Sequence, residues 1–395
     1  MPAKADFAIF VGTASRYPLF LERIMQIGIV GDLHLGPKCQ KTPIKDAVVA
    51  GEKALHKMMI EDFRSRGIKT VLFSGDVFTV HAFMTIDVMA YAIQLFRDEM
   101  KDFDIHVIAG NHDYVYENRD SLTSLQLLEL LPNVHVYRSS IVPLELLGKK
   151  WYMVPWIFPD KMEATSEWLS KLSRQAKAKR ENTVLFGHFD ILDMLMEAGQ
   201  ISTEGLPPEK FYKAACHTFS GHYHCRSFNK GKDADSSILY MGTPYHLSFA
   251  HVGTDCGYYI LDDKMDIEFV ENKVSPRFID VDDEHLEGLG DLSNCIVRYF
   301  SLNGRNFDEA VARKKVLMDA HPIYVNTVCY GGAAGDIDDA RRVDDEEARK
   351  LLGADNLTMA SMYMDKYPEQ LPTFWSGEDP KKKIMQILST YGEKI

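Results

Sequence analysis

The sequence has no run of about 18 consecutive apolar residues, so it offers no membrane-spanning helix. It is poor in cysteine: the six present are scattered, with no C-x-x-C and no paired spacing, which speaks against a disulfide scaffold and fits a reducing cytoplasm. There is no G-x-x-x-x-G-K and no G-x-G-x-x-G, so neither a P-loop nor a dinucleotide turn is expected to hold a nucleotide here. Internal repeats are absent. A basic excess is also missing, since the net charge is −12. That number alone does not decide partners: five basic residues fall between Lys171 and Arg180, Arg226, Lys230 and Lys232 follow closely on one another, and six carboxylates crowd Asp280 to Asp291. The apolar run Phe7–Val11 is broken up by Asp6, Arg16, Glu22 and Arg23, so a signal peptide is not expected, and residues 1–24 read as an extension ahead of a first strand that follows Met25.

What is present is the composition of an ordinary globular chain, 46% hydrophobic and 26% charged over 395 residues, enough for two or three units with a substantial core. One pattern recurs five times: an apolar, strand-like segment, a glycine, then side chains that carry ligand oxygens or nitrogens. Ile27–Val30 leads into Gly31-Asp32-Leu33-His34, Thr70–Phe73 into Gly75-Asp76, and Ile105–Ile108 into Gly110-Asn111-His112-Asp113. Thr183–Phe186 leads into Gly187-His188, and Thr218–Ser220 into Gly221-His222-Tyr223-His224. Glycine permits the sharp turn and the close approach that such a junction needs. Ligands delivered from the carboxyl ends of several strands converge on one crevice of a layered α/β fold.

Between these junctions the apolar spacing predicts helices over Thr42–Arg66 (stopped by Gly67), Thr85–Lys101, Ser121–Leu131, Pro159–Lys179 and Pro208–Ala215. Further strands are expected at Val134–Tyr137, Ile141–Leu146, Trp151–Trp156, Ser237–Met241, Gly257–Leu261 and Met265–Val270. The fold class is therefore α/β: two sheets with helices outside, spanning residues 25–279. Past the acidic boundary, Ile296–Leu302, Phe307–Met318 and Tyr324–Cys329 read as strand, helix, strand, a small α/β unit over 292–333. Residues 344–395 read as a polar, helical tail whose Ile384, Met385, Ile387 and Leu388 form an apolar face for self-packing or for a partner.

Asp32, His34, Asp76, Asn111, His188, His222 and His224 make a mixed oxygen and nitrogen donor set without thiolate, suited to Mn²⁺, Fe or Zn²⁺ rather than Ca²⁺. Seven donors exceed one tetrahedral site and suit two divalent ions sharing a carboxylate. The assignment is Asp32, His34 and His224 on one ion, Asn111, His188 and His222 on the other, and Asp76 between them. Two ions so placed activate a water and clamp the oxygens of an in-line phosphoryl displacement. His112 then remains to protonate the leaving oxygen, with Asp113 to orient its imidazole.

These motifs, in order and over about two hundred residues, resemble the five signature motifs of calcineurin-like metallophosphoesterases. Protein phosphatases of that superfamily carry G-D-x-x-D-R-G and G-N-H-E, which this chain lacks. Gly75-Asp76-x-Phe78, Gly221-His222-x-His224 and Leu239–Tyr245 are instead similar to DNA-break nucleases of the SbcD and Mre-eleven kind, and most of all to phage recombination nucleases. The resemblance implies a Mn²⁺-dependent nuclease acting on DNA ends in recombination and double-strand-break repair, in the cytoplasm (the host's, if phage-encoded). It further implies a homodimer, a capping unit after the nuclease domain, and a tail docking on a coiled-coil, SMC-like ATPase subunit of the SbcC type, with no membrane partner. The family often has His directly after G-D-x-F; here Thr79 stands there and His81 follows.

Any one of these histidines alone is as readily a hydrogen-bonded core residue; the joint pattern is what argues otherwise. Cys216, His217 and Cys225 match no zinc spacing and suit strand packing better. His106 alternates with core positions, and Tyr245 and His246 fit either a substrate-facing or a turn-packing role. Two rival functions remain: a phosphodiesterase for cyclic nucleotides or dinucleotides, and a non-catalytic scaffold of the same fold.

Overall fold

The strands alternate in what they bury, and that alternation sets the layers. The computed structural model describes residues 25–36, 43–79, 84–115, 122–197, 199–232, 235–286, 289–301 and 307–329; the extension 1–24, His81 and the tail 344–395 lie outside them. Strands β1 (Gln26–Val30), β2 (Thr70–Phe73), β3 (Asp104–Ile108) and β4 (Val134–Tyr137) lie parallel side by side, joined through helices α1 (Ile44–Arg66) and α2 (Ile86–Gln94). Strand β5 (Val142–Leu146) pairs antiparallel with β6 (Lys149–Val154). Helices α3 (Met162–Ser173) and α4 (Lys177–Glu181) lead to β7 (Thr183–His188), parallel to β6. A two-stranded clip, β8 (Leu195–Glu197) with β9 (Gln200–Ile201), precedes α5 (Pro208–Ala214) and β10 (His217–Gly221). Strands β11 (Ser227–Lys230) and β12 (Ser237–Tyr240) complete the second sheet, while β13 (Gly257–Asp262) and β14 (Ile267–Glu271) return to the first. The sheet orders are β14-β13-β1-β2-β3-β4 and β11-β12-β10-β7-β6-β5.

Period-two alternation gives each central strand one side chain for each face. Ile27, Ile29, Leu72 and Ile108 of the first sheet meet Trp151, Met153, Val184, Phe186 and Phe219 of the second in the inter-sheet core. The indole of Trp151 stacks on Phe219 at 5.6 Å between ring centres. On the outer faces, Val30, Val71 and Phe73 pack under Leu55, Met59 and Phe63 of α1, and Leu185 packs with Leu169, Leu172 and Phe211 of α3 and α5. A buried side chain of this size contributes roughly 1.5–3 kcal/mol. The result is helix, sheet, sheet, helix: the two-sheet α/β sandwich expected from the sequence.

Three helical expectations are modified. The periodicity over Thr85–Lys101 yields α2 and then a π-helical turn, Leu95–Glu99, which still turns Leu95 and Phe96 into the core. Ser124–Leu130 is a 3-10 segment, and the run beginning at Pro159 breaks where Ala176 becomes extended (φ −56°, ψ 145°). Helix α1 ends, as read from sequence, at Gly67 (φ 71°).

A third sheet holds β15 (Arg277–Asp282), β16 (Cys295–Ser301) and β17 (Tyr324–Cys329), all parallel, with α6 (Phe307–Asp319) between the last two. It therefore starts at Arg277, ahead of the acidic segment, because Phe278 and Val281 alternate into buried positions along β15. Phe278 and Ile296 of this sheet pack on Ile44 and Val48 at the start of α1, so the small unit rests on the first sheet's helix layer.

Helix α1 also buries Glu52, whose Oε1 has no hydrogen-bond partner, and burial pushes this carboxyl up from 4.5 to about 8. An acid with a raised folded pKa favours the folded state only while protonated. Stability is therefore expected to fall as pH climbs from about 4.5 toward 8, where the unfolded chain ionises and the folded one resists. E52Q should flatten that slope and raise the midpoint of urea unfolding at pH 8; an identical pH dependence in the variant would show the slope to come from elsewhere.

Candidate metal centre

All the ligand candidates lie at the carboxyl ends of β1, β2, β3, β7 and β10, at the edge where the two sheets face each other. The backbone, more than the side chains, brings them together. His34 N–H donates to the Asp76 carbonyl at 2.8 Å and Leu35 N–H to that of Val77 at 2.8 Å, lacing the first two junctions. The Thr79 hydroxyl, 2.7 Å from the His34 carbonyl, sits among the carbonyls of His34, Leu35 and Gly36, and the Tyr245 hydroxyl donates to Leu33 O at 2.6 Å. His34 (φ 46°), Asp76 (φ 46°) and His222 (φ 87°) all occupy the left-handed region, a costly conformation that persists only where the surroundings fix it. Glycine is required where strands crowd the ligands: a Cβ on Gly110 would lie 2.2 Å from Asp76 Oδ1, and one on Gly221 2.2 Å from Asp32 Oδ1.

Two groups of donors share Asp76. Donor atoms of Asp32, His34, Asp76 and His224 all lie within 4.8 Å of one another, a set able to hold a metal ion. His34 Nε2 is 3.0 Å from His224 Nε2 and 3.6 Å from Asp76 Oδ2. In the second group, Asn111 Oδ1 stands 3.0 Å from His188 Nε2 and 3.1 Å from His222 Nδ1, and His188 Nε2 is 3.5 Å from Asp76 Oδ2. All seven side chains singled out in the sequence thus meet in one place. Asp32, His34, Asp76 and His188 are buried, whereas Asn111, His112, His222 and His224 are half-buried.

His112 places its ring 5.0 Å from that of His34. Its backbone N–H donates to Asp76 Oδ1 at 2.8 Å, and its Nδ1 is 3.0 Å from the Thr79 carbonyl. Asp113 has a different task from the one expected. Its Oδ1 accepts from the Val77 and Phe78 N–H groups (3.0 and 3.4 Å) and its Oδ2 from Gly110 N–H (2.9 Å), so its carboxylate pins the junctions together while the Thr79 carbonyl meets the ring of His112. Main-chain carbonyls leave no signature in a sequence, which is why this exchange of partners was not legible. His246 takes the turn-packing role, its Nε2 3.0 Å from the Thr254 carbonyl and its Nδ1 accepting from Phe278 N–H at 3.2 Å. His217 faces Ser237 Oγ at 2.9 Å, Cys216 packs in the inter-sheet core, and His106 meets the Tyr137 hydroxyl at 2.7 Å.

Three residues of the site carried no sequence signal. Ser74 donates to Asp32 Oδ1 at 3.0 Å and offers its carbonyl to His188 Nδ1 at 2.8 Å. Trp156 packs its ring 4.8 Å from that of His222, and Asp190 Oδ1 stands 3.6 Å from His222 Nε2.

Electrostatics mark the place for cations. Burial, with neighbouring Asp76, pushes Asp32 up to about 7 against the pull of His188. Burial also opposes ionisation of Asp76, but His188, His34 and His112 outweigh it and hold this carboxyl well below its ordinary value. Burial disfavours the His188 cation, yet Asp76 and Asp32 raise it to about 9. A buried cluster that gathers protons in this way fits divalent ions, which replace those protons on binding.

The model of the calcineurin-like phosphoesterase family matches residues 25–226, about half of the chain, and the chain belongs to that family. It is a metal-dependent hydrolase. Among individual proteins, it is 27% identical to exonuclease subunit 1 of Enterobacteria phage T4 over 254 residues, 64% of this chain and 69% of that protein. Among solved structures, it resembles a dimetal phosphatase from Danio rerio (TM-score 0.40, 10% identity, 63% of this chain and 99% of the other). It also resembles GAP50, the anchor in the inner membrane complex of Plasmodium (TM-score 0.38, 10% identity, 79% and 99%). Likenesses this distant carry no weight for function. No helix among the described residues is long and apolar enough to cross a membrane.

Proposed function

We propose that this chain is a two-metal DNA nuclease that processes DNA ends in recombination and double-strand-break repair. The observation that carries the proposal is the placement of Asp76, whose carboxylate is shared between the Asp32/His34/His224 group and the Asn111/His188/His222 group. The T4 relative, an exonuclease subunit, supports DNA as the substrate and a second subunit as partner. Asp32, His34 and His224 would hold one ion, Asn111, His188 and His222 the other, with Asp76 near enough to serve both. The ions, Mn²⁺ by donor type, would supply Lewis-acid charge and an activated water when bound. The chain's own part is to orient the phosphodiester against these groups and, through His112, to give a proton to the leaving oxygen. Asp113 serves by fixing the loop that carries His112.

The same reading makes residues 25–279 the nuclease domain, with the sheet that begins at Arg277 completing a capping unit, and gives the tail 344–395 to a coiled-coil ATPase of the SbcC type. It further has two copies joined as a homodimer in the cytoplasm. The test is Mn²⁺-dependent degradation of linear duplex and single-stranded DNA, run beside bis-p-nitrophenyl phosphate and repeated with chelator. Hydrolysis of both DNA and the small diester, abolished by chelator, is the expected result. Activity on the small diester alone would move the substrate to a small-molecule phosphodiester, and no Mn²⁺-dependent hydrolysis of either would leave a scaffold.

A further inference from the structure

His222 presents its two ring nitrogens to different neighbours. Nδ1 lies 3.1 Å from Asn111 Oδ1, on the side where the second donor group converges, and Nε2 lies 3.6 Å from Asp190 Oδ1. An imidazole can ligate through Nδ1 only if that nitrogen keeps its lone pair, so the proton must sit on Nε2. His188 solves the mirror problem with a carbonyl: its Nδ1 faces Ser74 O at 2.8 Å and its Nε2 faces Asn111. For His222 the acceptor on the far side is a carboxylate, the stronger partner for a metal-bound imidazole.

Asp190 is itself held in place. The Tyr223 hydroxyl donates to its Oδ1 and lies 2.8 Å from Ser202 Oγ, while Leu206 N–H donates to the Asp190 carbonyl at 2.9 Å. Residues that follow the β8–β9 clip therefore hold both the carboxylate and the main chain of Asp190 beside the ring. We propose that Asp190 is a positioning residue for the second ion: it selects the His222 tautomer whose Nδ1 lone pair points at that ion. The inference rests on the two-ion reading of the centre given above.

The experiment uses the full chain, stripped with chelator, titrated with Mn²⁺ by calorimetry and followed by electron paramagnetic resonance. Wild type should take two ions and, at two equivalents, give the broadened signal of a spin-coupled pair. D190A should weaken one of the two affinities about 10–100-fold, the other staying unchanged, with an isolated-ion signal in place of the coupled one. D190N, whose amide oxygen can face the Nε2–H in the carboxylate's place, should recover much of the loss. Y223F, which keeps the carboxylate but frees it, should show a smaller weakening of the same ion. If Asp190 only anchors Tyr223, D190A will lower the unfolding midpoint and leave both affinities at wild-type values, and that outcome overturns the proposal. Equal losses in D190N and D190A also overturn it. A wild-type chain that binds fewer than two ions overturns the two-ion reading itself, and the inference with it.

Discussion

In the His112→Ala variant, Mn²⁺ uptake is expected to stay at two ions while phosphodiester cleavage falls by about 10²–10⁴-fold, the range for loss of a general acid. The geometry separates the two effects. His112 touches Asp76 through its backbone N–H, a contact that alanine retains, so the shared carboxylate should not move. What is lost is the ring, aligned by Nδ1 on the Thr79 carbonyl so that Nε2 is the nitrogen assigned to the leaving oxygen. Calorimetry and single-turnover cleavage on the same preparation check both halves. A substrate with a much better leaving group should lose less, because it needs less protonation. Unchanged turnover would remove His112 from the mechanism.

Gly110→Ala is expected to reduce cleavage by about 10²-fold or more, the scale for misplacing a reacting group by an ångström, and to cost about 1–3 kcal/mol of stability from overpacking. The new methyl would lie 2.2 Å from Asp76 Oδ1, 2.4 Å from Asp76 N and 2.7 Å from His188 Cε1. Asp76 has little freedom to retreat, since its carbonyl accepts from His34 N–H and its own φ is 46°. Both ions should bind more weakly, as both depend on that carboxylate. Turnover at saturating Mn²⁺, metal titration and urea unfolding read the three effects. Wild-type values for uptake and turnover together would mean that the junction is looser than these distances imply.

The layered fold and the gathering of the candidate ligand side chains were legible because both depend on short-range pattern. Alternation in Ile27–Val30 and Thr183–Phe186 assigned faces, and a glycine after each strand marked where ligands begin. The candidate donors could be picked out because the chemistry that nominates each belongs to its own side chain. What could not be read depends on partners far apart in the chain. Asp113 was expected beside the His112 ring, but two amides of the loop after β2 and the Gly110 amide of its own loop claim its oxygens. Thr79 supplies a carbonyl and a hydroxyl to the same cluster, a role that residue type does not announce. Likewise Asp190 gains its meaning only when β10 lies beside β7 and brings His222 across to it.

The left-handed backbone at His34, Asp76 and His222 also channels how this centre can change over evolutionary time. Asparagine, aspartate and histidine are the side chains that tolerate such angles best, while β-branched residues are shut out. Drift at these three positions is thereby steered among amide, carboxylate and imidazole, each a ligand for hard or borderline ions. A lineage could retune its preference among manganese, iron and zinc by such exchanges, but a thiolate-rich site for soft metals has no low-cost path from this scaffold.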